Sequence, residues 1–135
     1  MAAYNKFNSF VEALCEKVHN LATDTLKVAL TNSAPVATNS VLADITEISY
    51  TNLSSRTITT TSSSQTSGTY KLVLADLVLT ASGAVGPFRY VVIYNDTAAS
   101  KELIAYADYG SSISLNTSET FTIDFDDTNG LFQLT

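Results

Sequence analysis

The chain has 135 residues, of which 13 are acidic and 7 basic, giving a formal net charge of −6 with only 15% of side chains charged. A phosphate backbone is repelled by that charge. The seven cations (Lys6, Lys17, Lys27, Arg56, Lys71, Arg89, Lys101) are scattered rather than striped, so no direct nucleic-acid binding is expected. A hydrophobic content of 45% excludes wholesale disorder, no apolar run approaches the roughly 18 residues of a membrane span, and the length suits one domain, residues 1–135.

The first residues lack the apolar core of a signal peptide, so synthesis and folding in a reducing cytoplasm are expected. Cys15 is the single cysteine and has no disulfide partner within the chain. Asn52, Asn95 and Asn116 open glycosylation-like triplets, read as chance in a chain with 16 Ser and 19 Thr. Abundant hydroxyls and few charges make a surface that desolvates at lower cost than a charged one.

In chain order, Phe7, Phe10, Val11, Leu14, Val18 and Leu21 fall at helical spacing and predict an N-terminal α-helix over 5–20, with Asn5 as its cap. Residues 25–31 alternate, placing Leu26, Val28 and Leu30 on one face of a half-buried strand. The stretch 32–35 breaks it, and 44–47 reads as a helical turn or loop. Residues 55–61 predict a strand, followed by a polar loop at 62–68 whose Ser and Thr can prolong the strands on either side. Residues 70–80 read as one strand, and 83–87 as a turn whose glycines and proline stay outside the ladder. On the central strand 88–95, Phe88, Tyr90, Val92 and Tyr94 share one face, while Arg89, Val91 and Ile93 share the other. Strands at 101–108 and 113–116 follow. Residues 119–125 are expected to pair with 131–134 across Asn129-Gly130. The total, about eight strands at short spacing, predicts a mainly β fold: an antiparallel β-sandwich of jelly-roll type over 25–135 behind one helix.

Residues that carry chemistry are few. Cys15 and His19 stand four apart on the predicted helix, but a thiolate dyad also needs an orienting group; a buried cysteine beside a surface histidine is the plainer reading. A zinc site would need further ligands. Asp124, Asp126 and Asp127 before Asn129-Gly130 suggest a calcium loop, but the spacing departs from that motif and solvated strand-end carboxylates account for them. Glu47 and Glu102 have no spacing that defines a glycosidase pair. The glycines of 83–87 lack the ending of a phosphate loop. No catalytic residue, metal or cofactor is therefore expected. Tyr4, Tyr50 and Tyr109 fall at predicted element ends and are candidate interface anchors.

Several stretches run together: Tyr4-Asn-Lys-Phe-Asn-Ser-Phe-Val-Glu-Ala-Leu, Thr25-Leu-Lys-Val-Ala-Leu-Thr-Asn-Ser-Ala-Pro, Asp44-Ile-Thr-Glu-Ile, Tyr70-Lys-Leu-Val-Leu-Ala, Gly86-Pro-Phe-Arg-Tyr, Tyr94-Asn-Asp-Thr, Asp108-Tyr-Gly-Ser-Ser and Glu119-Thr-Phe-Thr-Ile-Asp-Phe. Together they resemble the small head decoration, or cement, proteins and other virion structural proteins of tailed bacteriophages, over nearly the whole chain. That resemblance implies a jelly-roll-like sandwich bound to the outside of an assembled capsid, without enzymatic activity. It implies the major capsid protein as partner, a homo-oligomer (dimer or trimer) on the shell, no contact with nucleic acid or membrane, and a place on the virion exterior after synthesis in the bacterial host. A tail-associated structural protein is the nearest alternative. A carbohydrate-binding β-sandwich module is a second, weakened by the absence of Trp. Because strand faces are consumed by the core, contacts are expected from chain ends and loops: Ala2, Ala3 and Tyr4, and Ser62, Ser63, Ser64, Gln65, Thr66, Ser67 and Gly68.

Overall fold

The computed structural model describes residues 2–135. The most apolar segments form the centre of a five-stranded antiparallel sheet, as expected for strands buried on both faces. These are β2 (Leu26–Thr31), β7 (Val85–Asn95) and β8 (Leu103–Leu115), with β1 (Tyr4–Lys6) and β3 (Thr57–Ile58) at the margins, in the order β1-β8-β7-β2-β3. Strand β2 runs against β7 from Leu26↔Asn95 to Thr31↔Tyr90. It is not half-buried as predicted: Ala29 and Thr31, on the face opposite Leu26, Val28 and Leu30, are also fully shielded.

Two smaller antiparallel sheets complete the fold. One has the order β10-β5-β4, from Phe132–Leu134, Thr69–Leu74 and Thr60–Thr66; the other pairs β6 (Leu77–Thr80) with β9 (Thr120–Ile123). Leu72, Leu74, Leu79, Ile123 and Phe125 from this side share one core with Leu26, Val28, Leu30, Val91 and Ile93 of the large sheet. The opposite face of the large sheet carries a second core of Phe7, Ala29, Ile45, Val92, Tyr94 and Leu103. The segment around a 3-10 turn at Leu42–Asp44 supplies part of it. Asp44 closes that turn, its Oδ2 accepting from the Ser40 and Val41 amides at 2.9 and 3.2 Å.

The helix α1 spans only Asn8–Cys15, not 5–20. Residue 5 belongs to β1, because Tyr4 and Lys6 pair with Ala107 and Ala105 of β8, and this long-range pairing overrides local periodicity. At the other end Lys17 adopts a left-handed φ of 67°, which an α-helix cannot continue through. The apolar stripe is also divided: Phe7 enters the second core and Phe10 the first.

Irregularities in the ladders account for the other departures. The β7–β8 register shifts around Phe88, so Phe88 joins Val91 and Ile93 rather than Tyr90, Val92 and Tyr94; each added residue reverses the two-residue alternation. Gly86 and Pro87 lie within β7 rather than in a preceding turn. Gly86 has φ 111°, and a Cβ there would meet Ile113 O at 2.8 Å. The predicted strands 101–108 and 113–116 are one continuous β8. Conversely, 70–80 is two strands in different sheets, broken where Asp76 Oδ1 accepts the Phe125 amide at 2.8 Å. Residues 119–125 do not pair with 131–134: β9 pairs with β6, and β10 with β5. Asp126 explains this, since its carboxylate accepts from the Thr128 and Asn129 amides and folds 126–130 into a local turn instead of a hairpin. Gly130 there has φ 77°, and a Cβ on it would fall onto Leu72 O.

Candidate interaction surface

The two predicted contact segments have different placements. Ala2 and Ala3 precede β1, with Ala3 exposed. Tyr4 is not a free arm. Its backbone pairs with Ala107 and its ring centroid lies 5.6 Å from that of Phe125. The Tyr4 and Tyr109 hydroxyls are buried close to one another, with no partner in hydrogen-bonding geometry. Burial, reinforced by each other and by Asp124, pushes the Tyr4 phenol far above its ordinary range.

The stretch 62–68 is not a loop. Ser62 to Thr66 lie in β4, and only Ser67 and Gly68 turn, with φ of 52° and 83°. Two successive positive φ values make the two-residue hairpin that links β4 to β5 with the natural strand twist. Gln65 Oε1 secures it by accepting the Gly68 amide at 3.0 Å. Hydroxyl-rich strands are β-competent because threonine is β-branched and a cross-strand partner satisfies the backbone. On the inner side, Ser63 Oγ and the Tyr70 hydroxyl lie 2.7 Å apart. On the outer side, Ser62 and Ser64 hydroxyls lie 3.0 Å apart. They border an open cleft with Thr66, Lys71, Asp127 and Gln133. Lys71 Nζ donates to Thr128 O at 2.8 Å and ties the 126–130 turn to the sheet. Lys71, Asp127 and Gln133 were not among the predicted contacts. The alternation Lys71-Leu72-Val73-Leu74 carries the signal for Lys71, since two buried leucines force their neighbours outward.

The remaining candidates are dispersed. Cys15 is exposed and ends the helix, whereas His19 lies beyond it and is buried, the reverse of the expected arrangement. Asn95 Nδ2 donates to His19 Nδ1 at 3.0 Å and to Asp24 Oδ2 at 2.6 Å, while Asn95 Oδ1 accepts from the Thr97 and Ala98 amides. Burial lowers the His19 pKa, opposed by the charges of Glu102 and Asp24. His19 Nε2 and Glu102 Oε2 are both buried without partners. This cluster clamps the segment after α1 onto the end of β7.

Glu47 belongs to a different network. Tyr50 hydroxyl donates to Glu47 Oε1 at 2.6 Å and accepts the Leu30 amide at 2.9 Å, and the Arg56 guanidinium stacks 3.6 Å from the Tyr50 ring centre. Arg56 Nη1 also donates to Val28 O at 2.6 Å. Tyr50 is therefore a strap holding 47–56 on β2, and Tyr109 packs 5.0 Å from Phe121; neither ring projects as an interface anchor. Asp126 is spent on its turn, and hydrogen bonds from Asn129 and Thr128 hold its pKa below the usual carboxylate range. Among the described residues, no group of three or more His, Cys, Asp or Glu side chains is placed to hold a metal, and no helix is long and apolar enough to cross a membrane.

Compared with protein-family models, with curated proteins and with solved structures, the chain finds no match in any of the three.

Proposed function

We propose that this chain is a capsid decoration protein that binds the outside of an assembled phage head and stabilises it. The observation that carries the reading is β4, the edge strand of the β10-β5-β4 sheet, with its turn: segment 60–68 holds no charged residue and six exposed ones (Thr61, Ser64, Gln65, Thr66, Ser67, Gly68). Neutral hydroxyls at a fixed backbone geometry suit docking onto another protein, because they lose little on desolvation and little entropy on ordering. The identity of the partner, the major capsid protein, rests on the resemblance of the strand motifs to decoration proteins. The jelly-roll description belongs to the same reading, with the five-stranded sheet as one layer and the two smaller sheets as the other.

The mechanism is linkage. A protein that bridges neighbouring capsid subunits only at the spacing of the mature lattice stabilises that lattice over the unexpanded one, as a ligand stabilises the form it binds. Many modest contacts repeated over one shell act together. In this reading Ser62 to Gly68 and the Ala2-Ala3 end make the contacts, and Tyr4 positions that end from within. The carbohydrate alternative draws on the hydroxyl-lined cleft beside Lys71 and Gln133, although no aromatic ring lines it to stack on a sugar.

The test compares heads with and without the protein. Depleted heads should release DNA at lower temperature and lower osmotic stress, and added protein should restore resistance. Equal robustness, or labelling confined to tails, would replace the head reading with the tail-associated one.

A further inference from the structure

We propose that the free edge of β4 pairs with the same edge of a second copy, forming a two-fold dimer centred on Ser63. Strand β4 lies at one end of the β10-β5-β4 sheet and pairs only with β5. The hairpin closes at Thr66↔Thr69, so Thr66, Ser64 and Ser62 direct their N–H and C=O groups toward β5. Ser63 and Gln65 therefore direct theirs to the open side. An edge of this kind is a template for another strand, and chains usually blunt it with Lys, Pro or an inward charge. Segment 60–66, Thr-Thr-Ser-Ser-Ser-Gln-Thr, contains none of these.

The occupant follows from the order of those residues. Read in either direction from Ser63 the strand is nearly the same: Ser62 and Ser64, Thr61 and Gln65, Thr60 and Thr66. An antiparallel copy centred on Ser63 sets Ser63 against itself, with both of its backbone bonds made, and Ser62 against Ser64 of the copy. Hydroxyl pairs directly opposite one another are favourable in antiparallel sheets. Although each chain carries a net charge of −6, no charged residue lies on β4, so the seam sets no like charges directly opposite one another. The register shift between Thr60 and Ser62 ends the straight run, so the pairing is short and the dimer weak and reversible. Such an interface is isologous and closes at two copies, joining the two three-stranded sheets into one of six. This inference does not depend on the capsid reading; on a lattice, the dimer would double the contacts each unit makes.

Sedimentation velocity of the full chain, carried up to about millimolar concentration, should show reversible dimerisation. Ser63→Pro removes an outward amide that β5 does not use, together with the Ser63–Tyr70 hydroxyl contact, so it should lower the melting temperature slightly while weakening association at least about tenfold. Cross-linking reads the register independently. With Cys15→Ser as background, Ser63→Cys should form a disulfide-linked dimer on mild oxidation, because directly opposed residues of a hydrogen-bonded pair lie within disulfide reach. Ser62→Cys in the same background should not, since it faces Ser64. Should Ser63→Pro fail to fold, the cysteine pair decides. A chain that stays monomeric throughout, a dimer that survives in folded Ser63→Pro, or equal cross-linking of the two cysteine variants would each overturn the proposal. A monomer would leave the edge to solvent or to a strand of another protein.

Discussion

The hairpins β7–β8 and β4–β5 are built from opposite materials. In β7–β8, Val91, Val92, Ile93, Leu103 and Ile104 are almost wholly shielded and feed cores on both faces of the large sheet. In β4–β5, only Leu72 and Leu74 of β5 are buried, while β4 presents hydroxyls on both faces and an open backbone edge. The first hairpin is held by burial. The second is held by its turn, by a serine–tyrosine contact and by the leucines of one strand. Stability and contact are thereby separated: truncations in the frame weaken the fold, whereas the exposed positions of β4 can be altered without touching the core.

That division sets an order of expected effects. Phe88→Ala opens a cavity at a residue with no exposed surface and should cost about 3–5 kcal/mol in denaturant unfolding. A loss under about 1 kcal/mol would mean that the frame is loosely packed. Gly130→Ala places a methyl on Leu72 O at a left-handed φ and should cost about 1–3 kcal/mol, read as a lowered melting temperature. Tyr50→Phe keeps the ring under Arg56 but leaves the Leu30 amide without its acceptor, for a loss of about 1–2 kcal/mol.

The next effect is visible only as a pH dependence. Burial keeps His19 neutral with a lowered pKa, so its contribution is complete above its unfolded value of about 6.5 and is lost as pH falls below that toward the folded value. Melting temperature should drop between about pH 7 and pH 5, and His19→Gln, still neutral, should flatten that slope. Asp96 and Asp108, held low by Lys101 and Arg89 respectively, act in a separate window: their contribution is present above about pH 4 and disappears in stronger acid. An unchanged slope in His19→Gln would place the upper transition elsewhere. Smallest of all, Ser64→Ala at an exposed β4 position should stay within about 0.5 kcal/mol of the parent. A large loss there would erase the distinction between the two hairpins.

The fold is legible in the sequence where burial is repetitive and hidden where a single polar contact redirects the chain. The alternation in 25–31 and the double-faced apolarity of 88–95 identified β2 and β7, because period two with valines and isoleucines has few other solutions. The same rule placed Phe88 on the wrong face, since a register shift leaves no mark in composition. Residues 62–68 read locally as a polar loop with strands encroaching from either side, because serine is a turn residue by propensity while threonine is β-branched. Pairing with Thr69–Leu74 decided otherwise, and that pairing is a tertiary fact. Asp76 accepts one backbone amide and Asp126 two, bonds that no periodicity announces, and between them they separate β5 from β6 and β9 from β10. The His19–Asn95–Asp24 cluster joins residues more than 70 positions apart, beyond the reach of any local pattern.

The separation of frame from contact edge is tested most directly by amide hydrogen exchange on the protein free and bound to purified heads. The account predicts slow exchange throughout β2 and β7 in both states, and protection on binding confined to Ala2, Ala3 and the segment 62–68. Protection that appears elsewhere while β4 stays unchanged would contradict it.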